Sequence, residues 1–102
     1  MPSYVQPDIA QRIRAIESLK LNILATTSDL FQAMGGESPA AAEAVGEMLS
    51  ALVVSTYRLG AAVGLSPSDM DRRSSDTIRS LKAMHADNIP DDILVLDTQF
   101  RR

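Results

Sequence analysis

The chain reads as all-α: an antiparallel three-helix bundle, a helical hairpin plus a third helix, completed by oligomerisation and followed by an extended C-terminal arm. Three observations predict this. Aliphatic residues recur at helical spacings through the first third of the chain, and two Ser-Pro pairs punctuate the rest as helix starts. The stretch Met48–Leu65, MLSALVVSTYRLGAAVGL, carries Arg58 as its sole charge and places small or aliphatic side chains on nearly every face. A helix that is apolar all round has to be buried all round.

The elements follow in order, within one helical domain spanning 1–102. Pro7-Asp8 supplies a start signal, after which Ile9, Ile13, Ile16, Ile23, Leu30 and Met34 recur in helical phase until Gly35-Gly36 ends the pattern; the first helix covers about 8–34. Ser38 can cap the free amides of the next helix, and Pro39 suits its first position, so a second helix covers about 38–63 and closes at Gly64. Ser66-Pro67-Ser68-Asp69 repeats the device and places an acid where it can reach back to the cap's own amide. Met70, Thr77, Leu81 and Met84 then mark a third, more polar helix over about 66–86. Asn88-Ile89-Pro90-Asp91-Asp92 reads as a breaker. The aliphatic run Ile93-Leu94-Val95-Leu96 behind it reads as an arm over 88–102, lying extended in a groove or forming a small strand.

A domain of 102 residues is small. Two neighbouring helices can cover only part of the circumference of the apolar helix, and burying a Leu or Val side chain is worth ~1.5–3 kcal/mol. Leu49, Leu52, Val53 and Val63 are therefore expected at an interface between copies, in a dimer or a tetramer. A membrane span is the competing explanation. It needs ~20 apolar residues, and a central arginine costs ~2.5–3.5 kcal/mol on insertion scales. Arg58 divides the stretch into two runs that are both too short, so no membrane is expected.

Composition narrows the function classes. With 10 basic and 13 acidic residues the net charge is −3, which provides no electrostatic footprint for nucleic acid. Tyr4, Phe31, Tyr57 and Phe100 are too scattered to stack bases. Cysteine is absent, which excludes disulfides, thiol catalysis and thiolate metal sites. A cysteine-free chain without a signal peptide is expected in the cytoplasm.

Two constellations bear on chemistry. Arg79 and His85 share the third helix, and their spacing resembles the Arg-His motif of HEPN-type ribonucleases, but the reading preferred for His85 is a solvated histidine near a helix C-terminus, favoured by the helix dipole. Glu43 and Glu47 stand one turn apart and Asp29 lies late on the first helix, the carboxylate pattern from which an all-helical magnesium site is built. Glu43 and Glu47 also suit a solvated helix start, where negative charge is favoured.

The segment KLNILATTSDLFQAM (Lys20–Met34), followed by a loop and then Leu49–Met84, resembles the all-α nucleoside triphosphate pyrophosphatases of the MazG-like family. The nearest likeness is RLGAAVGLSPSDMDRRSSDTIRSLK (Arg58–Lys82), similar to that family's leucine-rich turn and the following helix with its substrate-side cation. The resemblance implies magnesium held by a Glu-Glu-x-x-Glu cluster and a Glu-x-x-Asp pair. Those positions fall here on Ile23, Leu24 and Thr27, and on Met48 and Ala51, none of them acidic. The expectation is thus a helical module without catalysis, metal or other cofactor, binding a small ligand or a partner protein as a homo-oligomer. The alternative is a magnesium-dependent pyrophosphohydrolase with Asp29, Glu43 and Glu47 as metal ligands and Arg79 or Lys82 at the phosphates.

Overall fold

The structure, a computed structural model, describes residues 5–101 and the side chains of residues 9–101. Tyr4 and Arg102, and the side chains of Pro7 and Asp8, lie outside the described residues. Four helices follow one another: α1 (Val5–Ala33), α2 (Pro39–Ala62), α3 (Pro67–Met84) and α4 (Asp91–Phe100), and no strand occurs among the described residues. They form two compact units, Met1–Gly64 and Leu65–Arg102.

In the first unit α1 and α2 pack together as a hairpin. Each helix offers a stripe in alternating steps of three and four residues: Ile16, Leu19, Ile23, Thr26, Leu30 and Ala33 on α1, and Val45, Met48, Leu52, Ser55, Leu59 and Ala62 on α2. All of these are buried or half-buried. The Ser55 hydroxyl, buried in this contact, donates to Asn22 Oδ1 at 3.3 Å, so the one polar group in the α2 stripe is satisfied across the hairpin.

The turn between these helices is tight. Ser38 caps α2 by accepting from the Ala41 amide at 3.1 Å, with Pro39 in the first turn. Gly36 approaches so closely that an added Cβ would stand 2.8 Å from the Ala41 Cβ. Gly35 and Gly36 end α1 through short-range bonds to the Gln32 and Ala33 carbonyls rather than in a left-handed cap. The left-handed position belongs instead to Gly64, at φ 93°, just after α2.

In the second unit α3 packs against α4. The capping box at its start is complete: Ser66 Oγ accepts from the Asp69 amide at 3.1 Å, and Asp69 Oδ2 accepts from the Ser66 amide at 3.0 Å. His85 is the C-cap of α3 and is exposed.

The extended C-terminal arm is corrected by the structure. Ile93–Leu96 lies inside α4, and the Pro90-Asp91-Asp92 sequence starts a helix as well as ending the preceding segment. Pro90 occupies the N-cap position, and Asp91 and Asp92 fill the first turn, where their charges complement the free amides. The aliphatic run is sheltered by helical phase rather than by a groove. Ile93 is 8% exposed, and with Ile78 of α3 it forms the buried core of this unit, whereas Val95 on the opposite side is 67% exposed.

Candidate functional site

Ile23 and Met48 belong to the stripes through which α1 and α2 meet, so both are half-buried in the hairpin contact. Thr27 is half-buried too, and its hydroxyl donates to the Ile23 carbonyl at 2.7 Å. Leu24 and Ala51 are exposed. None of these five residues, which the resemblance sets against the family's magnesium ligands, carries a carboxylate.

The acids that could replace them are placed elsewhere. Glu43 and Glu47 are exposed on α2, where with Gly46 and Ser50 they line a shallow open groove. Asp29 is exposed on α1. Among the described residues no three His, Cys, Asp or Glu side chains come close enough together to hold a metal ion, so Asp29 does not join the two glutamates in one ligand set.

The candidate phosphate-binding cations lie in the second unit, and both are engaged by carboxylates. Arg79 Nη1 donates to Asp76 Oδ1 at 3.1 Å within α3, beside a groove shared with Arg72, Ser75 and Phe100. Lys82 Nζ donates to Asp97 Oδ2 at 3.1 Å, linking α3 to α4, and Arg101 meets the same oxygen. Asp97 is consequently held below the usual carboxylate range, first by the Lys82 bond and then by Arg101, against an opposing contribution from burial. Arg79 is 75% exposed, so its pairing with Asp76 is weak and exchangeable. The Lys82 pair is more sheltered.

The expected interface residues divide. Leu49, Val53 and Val63 are exposed, each by about half of its surface, at 49%, 56% and 56%. Leu52 is half-buried in the stripe that faces α1 and sits at the edge of this open surface. Leu24, Phe31 and Met34 of α1 are exposed as well. In antiparallel right-handed helices, a stripe one residue after the covered one turns to the same side on both partners. Leu24 and Phe31 follow Ile23 and Leu30, and Leu49, Val53 and Val63 follow Met48, Leu52 and Ala62, so these side chains form one apolar face of the hairpin. Sequence reasoning named the bulky members of this face on α2 and missed its small ones, Gly46 and Thr56. Their in-phase spacing with Leu49 and Val53 was the available signal.

No single helix among the described residues is long and apolar enough to cross a membrane. The model of the MazG-like family matches residues 9–93, which takes in the whole of the α1–α2 hairpin beyond its first turn, and α3. No curated protein and no solved structure matches the chain. A match over this length, joined to an all-helical fold, shows that the chain belongs to the MazG-like family.

Proposed function

We propose that this member of the MazG-like family is a non-catalytic helical module of the cytoplasm, working as a dimer or tetramer that binds a small ligand or a partner protein. What supports the reading is that Ile23, Leu24, Thr27, Met48 and Ala51, the residues that the resemblance sets against the family's metal-binding acids, carry no carboxylate. Without carboxylates a magnesium ion is not held, and without it the charge developing on a triphosphate is not neutralised. The open face of Leu49, Val53 and Val63, with Leu52 at its edge, supports the oligomer. The absence of a clustered basic surface speaks against a nucleic-acid partner.

Family membership favours one alternative, a magnesium-dependent nucleoside triphosphate pyrophosphohydrolase that uses Asp29, Glu43 and Glu47 for metal and Arg79 or Lys82 for phosphate. Incubation with canonical and modified nucleoside triphosphates, plus magnesium or manganese, separates the two by pyrophosphate release. The proposal expects none above the buffer control. Turnover that disappears in Glu47→Gln establishes the alternative.

A further inference from the structure

α4 is the helix least able to stand by itself. It spans 10 residues, and a helix shorter than ~12–15 residues is marginal alone in water. Its sequence, DDILVLDTQF, carries the β-branched residues Ile93, Val95 and Thr98, which favour helix less than Ala or Leu do. Pro90 at its N-cap makes no side-chain capping bond, and its last turn holds no basic residue. Docking supplies what local structure lacks, and it supplies little. Ile93 is the one buried residue of α4, set with Ile78 of α3 in the core of the second unit. Asp97 and Phe100 are half-buried, whereas Leu94, Val95 and Leu96 are exposed by 42%, 67% and 42%. The bond from Lys82 Nζ to Asp97 Oδ2, at 3.1 Å, adds a polar tie between the helices. Residues 85–90 connect them through a turn in which the Asn88 amide donates to the His85 carbonyl at 2.9 Å. α3 has no such dependence on its neighbour: it runs for 18 residues, starts in a complete capping box and carries Lys82 in its last turn.

We infer that α4 is a detachable strap, which undocks from α3 and unwinds as a unit while α3 and the α1–α2 hairpin stay folded. Folded chains open in such cooperative pieces, the least stable first. Closed, the strap covers Ile78, which is 6% exposed, and engages Lys82 through Asp97. Open, it releases both together, because Ile78 and Lys82 stand one turn apart on the same side of α3. An apolar side chain and a cation thus become available at the same moment. The docked helix withholds this face of α3, and an interaction with the face requires α4 to leave first. The device lies within the second unit and needs no second copy of the chain.

Native-state hydrogen exchange of the full chain tests this. The helix-bonded amides of Leu96–Phe100 should exchange together, with protection on the order of tenfold or more below that of the α3 amides of Ile78–Lys82 and with a weaker dependence on denaturant. Asp97→Asn, which removes the charge that ties α4 to Lys82, should speed the α4 amides severalfold and leave their denaturant dependence weak. Val95→Ala, on the exposed side, raises helix propensity and should slow them by roughly two- to threefold. Protection of α4 equal to that of α3, with the same denaturant dependence, would mean that the second unit opens only as a whole and would overturn the strap. Amides of α4 that exchange as fast as those of a free peptide would overturn it from the other side, since no docked state would then exist. Exchange in α4 that is indifferent to Asp97→Asn removes the Lys82 tie from the device, and indifference to Val95→Ala contradicts the unwinding.

Discussion

Lys82 Nζ of α3 stands 3.1 Å from Asp97 Oδ2 of α4, and this pair joins the two helices of the second unit across the segment that separates them. Arg101 closes on the same oxygen from one turn later, so a single carboxylate gathers both cations. Together with the burial of Ile93, the pair holds the C-terminal run as a docked helix. Truncation after Asn88 removes both and uncovers Ile78, so the truncated chain should melt at a lower temperature than the full one. Indistinguishable melts would contradict a docked α4.

Acid should destabilise the protein in a defined window. Asp97 is held below its ordinary range by Lys82 and then Arg101; Asp69 is held below it by the Ser66 amide first and the Ser66 hydroxyl second, with help from Arg72 and Arg73. A carboxylate whose folded pKa is depressed contributes stability that is present above its unfolded pKa and lost as pH falls through the folded one. The melting temperature should therefore be unaffected by these groups above about pH 5 and decline below about pH 4. Asp97→Asn should melt lower at neutral pH and show a shallower acid decline. An acid decline parallel to that of the unmodified chain would contradict the assignment.

Removing the cap of α3 tests the most local feature of the fold. Ser66→Ala deletes the oxygen that accepts from the Asp69 amide, and a lost N-cap costs about 1 kcal/mol. Denaturant titration should register that loss, and Ser66→Asp, which keeps an acceptor, should recover most of it.

Two glycines should resist alanine for different reasons. At Gly64 the backbone is left-handed, so Gly64→Ala should cost about 1–2 kcal/mol through the clash of Cβ with the chain. At Gly36 the obstacle is Ala41, whose Cβ lies 2.8 Å from the position a new methyl would take, and Gly36→Ala should cost about 1 kcal/mol or more. Pairing Gly36→Ala with Ala41→Gly relieves the contact. A double-mutant cycle should therefore show favourable coupling, while Gly64→Ala should gain nothing from Ala41→Gly.

What could be read from the sequence was what neighbouring residues decide among themselves. Ser38 with Pro39, and Ser66 with Asp69, act within one turn, and the structure has both caps where the residues indicate them. The fate of Ile93–Leu96 could not be read the same way. Four aliphatic residues do not by themselves choose between a helix and an extended arm, and the choice was made by the preceding helix α3, which offers Ile78 and Lys82 to the helical form across the turn. Gly35-Gly36 is a related case: the pair marks the end of a helix, but the constraint that keeps Gly36 a glycine is the close approach of Ala41, which arises only once the hairpin has folded. The bulky members of the open face, Leu49 and Val53, were legible by their apolar surface. The small members of the open face were not, because Gly46 and Thr56 carry too little apolar surface to register beside Leu49 and Val53.

The central claim is that the apolar face of the α1–α2 hairpin is closed by another copy of the chain. Multi-angle light scattering of the full protein at micromolar concentration measures this directly. The account predicts a mass of two or four times 11.0 kDa, and a stable species of 11.0 kDa would contradict it.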